Sequence, residues 1–200
     1  MSFQTLERLN ALIDAGLYYG KDIYDLERYQ EMKELLPRLL QELNLGNQEK
    51  LTEFFPEIQG YPTPKADTRA LILNEHKEIL LVKEKRKGEW SLPGGYMEIG
   101  YSPSQNMLKE VLEETGFQAR IVRLLAIFDT SKWQKQQFQY YKYCFHVELE
   151  KGKFRENSET SQIAYFPIDK LPEDLSTNRN SQAQLEKLLE LVEENNQYID

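Results

Sequence analysis

The chain has 200 residues, 40% hydrophobic and 29% charged, with a net charge of -8; that length holds one full domain and a small one. No apolar run approaches the roughly 20 residues of a membrane span, and the acidic balance argues against binding to duplex nucleic acid, which needs clustered Lys and Arg. The single Cys144 excludes an intramolecular disulfide, and Met1–Gln4 carries neither the basic nor the apolar region of a signal peptide, so the expected location is cytoplasmic.

Residues 1–60 read as a helical N-terminal domain. Leu6, Leu9, Ile13 and Leu17 follow a helical period that should end near Gly16 and Gly20. Asp22 can cap a second helix carrying Ile23, Leu26, Tyr29 and Leu36, which Pro37 should break or kink before the pattern resumes at Leu39, Leu40 and Leu43. Leu51, Phe54 and Phe55 add a short amphipathic piece. So small a helical segment buries little alone and is expected to pack on the following domain or on a second subunit, giving a homodimer. Pro56, Gly60, Pro62 and Pro64 then mark a linker, placed at residues 61–66.

From residue 67 to 200 the period changes. Ala70–Leu73 and Ile79–Val82 are short apolar runs with a turn at Asn74–Lys77, a hairpin signal. Ile121–Phe128 reads as a strand. Tyr141, Tyr143, Phe145, Val147 and Leu149 alternate strictly, as in a half-buried strand. Ile163–Phe166 is read as the last strand, stopped by Pro167, before an amphipathic helix through Leu185, Leu188, Leu189 and Val192. Strands with one central and one terminal helix imply an α/β/α sandwich around a mixed sheet.

The central helix carries the chemistry. Gly94, Gly95 and Gly100 make a loop that can approach a ligand closely. Ser102 then Pro103 reads as N-cap and first helical residue, Gln105 completes a capping box, and Gly116 is the stop. Met107, Leu108, Val111 and Leu112 share one face. Glu110, Glu113 and Glu114 fall on a neighbouring face at i, i+3 and i+4. Such a trio is either a solvated acidic face or the all-oxygen environment that a hard cation such as Mg²⁺ requires.

With its loop and caps, the stretch resembles the Nudix box, Gly-x5-Glu-x7-Arg-Glu-U-x-Glu-Glu-x-Gly-U, where U is bulky and apolar. Gly95, Glu110, Val111, Glu113, Glu114, Gly116 and Phe117 match in register, and Leu92-Pro93 precedes it as in that family. Tyr101 stands at the first box Glu and Lys109 at the box Arg. The resemblance implies the Nudix fold and a metal-dependent pyrophosphohydrolase. It assigns Mg²⁺ or Mn²⁺ to Glu110, Glu113, Glu114 and the Gly94 carbonyl. The reaction it implies splits a nucleoside diphosphate linked to X into a nucleoside monophosphate and X-phosphate, a small nucleotide substrate with CDP-choline or ADP-ribose favoured. The helical N-terminal region is similar in length and position to that of some members acting on X-linked nucleoside diphosphates.

Lys109 keeps the charge of the box Arg but loses its planar fork, and Glu98 is near enough in sequence to stand in partly for the missing box Glu. Either Glu110 or a loop glutamate downstream, Glu159 ahead of Glu156, is expected to be the general base. Arg69 and Lys83 are the candidate substrate contacts, against the alternative of ordinary ion pairs. Trp90, Cys144 and the tyrosines at 140, 141 and 143 read as core or sheet packing, His76 and His146 as structural, and Lys132 and Trp133 are open between substrate and solvent. Two other readings stand beside the hydrolase: a non-catalytic Nudix-fold nucleotide-binding regulator, and an RNA 3′ exonuclease at the same metal site, which the net charge disfavours for long RNA.

Overall fold

The computed structural model describes residues 3–42, 60–134 and 139–200. The chain divides into two compact units, Met1–Pro64 and Lys65–Asp200. Among the described residues no helix is long and apolar enough to cross a membrane.

The described residues of the first unit form two helices, α1 (Phe3–Tyr19) and α2 (Ile23–Glu42). Asp22 caps α2, its carboxylate accepting the Tyr24 and Asp25 amides at 3.0 and 3.3 Å. Helix α1 ends at Tyr19, at the second of the two expected stops, where the Gly20 amide donates to Gly16 O at 2.8 Å. Gly16 serves packing instead: a Cβ there would come within 2.5 Å of the Tyr29 ring, so the two helices approach closely. Helix α2 continues through Pro37 rather than breaking there. Leu36 and Leu40, on either side of the proline, are buried, and that burial offsets the backbone hydrogen bond the proline cannot donate. Lys33 Nζ joins the helices, donating to Asn10 Oδ1 at 2.8 Å and Asp14 Oδ1 at 2.7 Å. Leu9, Leu12, Ile23, Met32, Leu35 and Leu39 stay exposed. The expected continuation at Leu43 and the Leu51–Phe55 piece with Pro56 lie outside the described residues.

The second unit contains two sheets. Strands β1 (Lys65–Leu71), β4 (Phe117–Asp129), β5 (Tyr140–Gly152) and β7 (Tyr198–Ile199) form a mixed sheet in the order β1-β5-β4-β7, parallel at both outer pairs and antiparallel between β4 and β5. Strands β2 (Ile79–Glu84), β3 (Trp90–Ser91) and β6 (Thr160–Phe166) form an antiparallel sheet in the order β3-β2-β6. The described residues of the unit also form three α-helices, α3 (Pro103–Thr115), the short α4 (Thr130–Trp133) and α5 (Gln182–Glu193), and a 3-10 turn at Ile168–Lys170.

The apolar runs at 70–73 and 79–82 do turn at Asn74, whose side chain accepts the His76 and Glu78 amides at 2.9 Å. They are not, however, a hairpin of paired strands. One bridge, Leu73 to Ile79, joins them, and then the chain changes sheet: β1 pairs with β5, β2 with β3 and β6. Both runs are buried on both faces, so their side chains fill two cores rather than one. Leu71, Ile79 and Leu81 pack with Leu185, Leu188 and Leu191 of α5, whereas Ala70, Ile72 and Leu80 pack with Met107 and Val111 of α3. This is the expected α/β/α arrangement. Strand β7 is an addition, since two residues carry no readable period. It is fixed by Asp200, whose carboxylate accepts from the Asp129 amide, Trp133 Nε1 and Tyr198 Oη.

Candidate active site

Helix α3 begins and ends where its sequence dictates. Ser102 Oγ accepts the Gln105 amide at 3.2 Å and Gln105 Oε1 accepts the Ser102 amide at 2.9 Å. Gly116 closes the helix in the left-handed conformation. Met107 and Val111 are fully buried. Leu112 is exposed, and the rest of the buried stripe is Asn106, Glu114 and Thr115. Asn106 and Glu114 hold the glycine loop against the helix. Asn106 Oδ1 accepts the Glu98 amide at 3.0 Å, and its Nδ2 donates to Tyr96 O at 3.3 Å and Thr68 Oγ1 at 3.4 Å. Glu114 Oε2 accepts the Gly94 amide at 2.7 Å.

Gly94 is required here. Its φ is 140°, and a Cβ would sit 2.0 Å from Thr68 O. Its neighbour Gly95 lies against Glu110, with the position of a Cβ only 3.0 Å from Glu110 Oε2. The loop therefore lies directly on two of the three box glutamates. Arg69 completes the clamp from β1. Its Nε and Nη2 donate to Asp67 at 3.3 and 2.8 Å, and its Nη1 donates to Leu92 O at 3.3 Å and Gly94 O at 2.5 Å. Arg69 is buried and spends these donors on protein, so its position is that of a loop-organising ion pair rather than an open substrate contact. Burial opposes its charge, but Asp67, with Glu114 and Cys144, more than offsets burial and keeps it protonated.

The glutamates sit in three different environments. Glu114 is 8% exposed. Burial pushes its carboxyl up to about 7, against the pull of Arg69 and the Gly94 amide, and Glu110 adds to the rise. Glu110 is half-buried and also raised, first by burial and then by Glu113 and Glu159, with Lys109 opposing. Glu113 is exposed and faces Lys109, whose Nζ lies 2.8 Å from Glu113 Oε2 and 3.0 Å from Glu98 Oε1. The substituted box position thus bridges two carboxylates, and these hydrogen bonds hold the Lys109 ammonium strongly protonated. Tyr101 is half exposed, its ring centroid 6.0 Å from that ammonium.

Glu159 is exposed, in the turn before β6, and its charge is felt at Glu110. Glu156 is occupied differently, 2.8 Å from Lys85 Nζ. Lys83 does not join the glutamates: its Nζ donates to Asp174 at 2.8 Å and lies 5.5 Å from the centroid of Trp90. Trp90 is a core residue against Phe166. Cys144 is buried, its thiol pushed up by burial to about 12, which suits packing and not nucleophilic attack. Lys132 and Trp133 are held by Asp200.

Four residues of the site have no counterpart in the motif reading. Asn106 and Asn157 are hydrogen-bonding hubs. Arg179 pairs with Glu84 at 2.9 Å and lowers the carboxyl of Glu114 from a distance. Tyr96 stacks on Tyr140, with ring centroids 5.5 Å apart and hydroxyls 2.8 Å apart. Only Asn157 had an available signal, an Asn at the start of a polar turn.

The donor set suits a hard divalent cation: three carboxylates and a carbonyl, two of the carboxylates raised because burial and like charge leave them undercompensated. As they stand, no three acidic, His or Cys side chains among the described residues are gathered into a ligand cluster. The reason is visible, since Glu113 is turned to Lys109 and Glu114 to the Gly94 amide.

Comparison with known proteins agrees with this geometry. The NUDIX domain model matches residues 63–188. A second model, the UDP-X-like, N-terminal oligomerisation domain, matches residues 3–55. The chain is 40% identical over 188 residues to a Bacillus subtilis (strain 168) protein named "Putative ADP-ribose pyrophosphatase YjhB", covering 93% of this chain and 89% of that one. A crystal structure described as a UDP-X diphosphatase is 40% identical, with a TM-score of 0.68, covering 98% of this chain and 97% of that one. A crystal structure of an ADP-ribose pyrophosphatase from Streptococcus suis is 38% identical, with a TM-score of 0.63, and covers 69% of this chain and 100% of that one. A family model spanning most of the chain, on a structure whose glycine loop lies against the box glutamates, establishes that the chain belongs to the Nudix hydrolases, a family acting on phosphoric anhydride bonds.

Proposed function

We propose that the protein is a divalent-metal-dependent pyrophosphohydrolase of nucleoside diphosphates linked to a second group X. Glu110, Glu113, Glu114 and the Gly94 carbonyl would hold Mg²⁺ or Mn²⁺, with Glu113 exchanging Lys109 for the cation. When bound, the metal supplies charge neutralisation on the diphosphate and a more acidic water. Glu159 would take the proton of the attacking water on its carboxylate. The water oxygen adds to one phosphorus, the P–O–P bridge breaks, and a nucleoside monophosphate and X-phosphate leave. Lys109, once Glu113 has turned to the cation, keeps its bond to Glu98 at the rim, and Arg69 fixes the loop carbonyls. The observation that carries this reading is the contact of the glycine loop with Glu110 and Glu114.

ADP-ribose is the first substrate to test, because two relatives at 38–40% identity bear that name. UDP-linked compounds follow, on the whole-chain likeness to a UDP-X diphosphatase, and CDP-choline remains in the series. The exposed apolar residues of α1 and α2, on a segment matching an oligomerisation domain, support a homodimer. The free, buried Cys144 suits the reducing cytoplasm. The test is a Mg²⁺-dependent hydrolysis screen over ADP-ribose, UDP-linked sugars, CDP-choline, NADH, diadenosine polyphosphates and 8-oxo-dGTP, with products identified. Nucleoside monophosphate plus X-phosphate from an X-linked diphosphate is expected. Turnover confined to 8-oxo-dGTP would overturn the substrate class.

A further inference from the structure

We infer that Asn157 is a positioning residue: it locks the turn carrying Glu159 onto the helix carrying the box glutamates, so that base and ligands are held as one body. The inference rests on the reading of Glu159 as the base, and it names the residue through which that base is placed.

The bonds are explicit. Asn157 Oδ1 accepts the amides of Glu159 at 2.9 Å and Thr160 at 2.8 Å, and the Asn157 amide donates to Thr160 O at 3.1 Å, closing residues 157–160 into a turn. Asn157 Nδ2 reaches out of the turn and donates to Glu113 O at 2.8 Å. That carbonyl lies in the last turn of α3, where the partner from the residue four further on is missing: the Phe117 amide goes to Thr115 Oγ1 instead. One side chain therefore shapes the turn with its oxygen and ties it to the helix end with its nitrogen. The far side of the turn is fixed to the sheet, since the Lys85 amide donates to Glu159 O at 2.8 Å. The register of β6 on β2 skips Ser161, with Lys83 opposite Gln162 and Glu84 opposite Thr160. The extra residue is anchored by Ser161 Oγ donating to Lys83 O at 3.1 Å. A bulge at this point re-aims the residues before it. The Glu159 side chain is exposed. Its aim is therefore set by its backbone, and Asn157 holds that backbone.

A plain helix-capping role would produce the same bond to Glu113 O, so the experiment has to separate placement from stability. Asn157→Asp keeps the acceptor oxygen that shapes the turn and removes the donor to Glu113 O; Asn157→Ala removes both. These are made alone and in the Glu159→Gln background of the full-length protein, with kcat and KM measured on ADP-ribose with Mg²⁺ and exchange of the Lys85 amide followed by deuterium uptake. Asn157→Asp should lower kcat about 10-fold or more, within the general range for a misplaced general base, with KM within about 2-fold. It should speed Lys85 exchange and add no further loss of kcat to Glu159→Gln. An equal loss of kcat in both backgrounds would overturn the inference in favour of simple capping. So would an unchanged kcat in Asn157→Asp beside a crippled Glu159→Gln. An unchanged kcat in Glu159→Gln itself would instead remove the assignment of the base, whatever Asn157 does.

Discussion

Replacing Gly94 by alanine adds one methyl group at the point where the loop touches β1 and α3. The new Cβ would lie 2.0 Å from Thr68 O, and ordinary contact begins at 3.4 Å, so the loop must retreat by about 1.4 Å. Two costs follow. The residue keeps a φ near 140° that side chains rarely adopt, a strain of about 1–3 kcal/mol. The 2.7 Å bond from the Gly94 amide to Glu114 also stretches beyond hydrogen-bonding range, at about 1.5–3 kcal/mol for a bond to a charged acceptor. Together they amount to about 2.5–6 kcal/mol, against a typical total of about 5–15 kcal/mol for a domain. Both tryptophans, Trp90 and Trp133, lie in the second unit, so their fluorescence in a urea titration reports on that unit alone. The expected result is a large drop in midpoint together with lost Mn²⁺ binding. A loss below about 1 kcal/mol with Mn²⁺ binding intact would refute the close contact and its role.

Glu159→Gln should lower kcat by about 10²-fold with little change in KM, while Glu156→Gln, which removes only the pairing with Lys85, should do much less; steady-state kinetics on ADP-ribose decides, and loss on Glu110→Gln alone would move the base into the helix. Glu114 holds its proton more tightly folded, at about 7, than its ordinary 4.5; metal-free protein should therefore lose stability as pH rises from about 4.5 to 7, by roughly 3 kcal/mol. Glu114→Gln lacks that loss, so at pH 8 without metal it should be more stable than the parent in urea, and Mg²⁺ should reverse the order. Light scattering at micromolar protein should give a dimer mass, with a monomer counting against the N-terminal segment as a subunit contact.

The helix bearing the glutamates was legible because its signals are local: Ser102, Pro103, Gln105 and Gly116 each act within a few residues. The longer strands were legible from their alternation and apolar runs, but the two-residue strands β3 and β7 were not, nor was the change of sheet between Leu71 and Ile79, because two buried strands look alike whether or not they pair with each other. Gly20 follows the end of α1 as expected, whereas Gly16 and Pro37 do not interrupt their helices. Local propensity suggested breaks, and packing against Tyr29 and the burial of Leu36 and Leu40 carried the helices through. Arg69 and Lys83 could be picked out as cations near the site, but not their partners, since Asp67, Gly94 and Asp174 are assigned only when the chain is folded. Asn157 shows the limit most clearly. Its turn is readable, while its bond to Glu113 O joins residues 44 apart.

The most direct test of the account is the turnover of metal-stripped protein on ADP-ribose as Mg²⁺ is titrated back, with products separated and identified. Without metal there should be no turnover, Mg²⁺ should give a saturable rise, and AMP and ribose 5-phosphate should form in equal amounts, all abolished by Glu113→Gln despite a folded protein. Turnover that persists in the metal-stripped protein, or that survives Glu113→Gln unchanged, would contradict it.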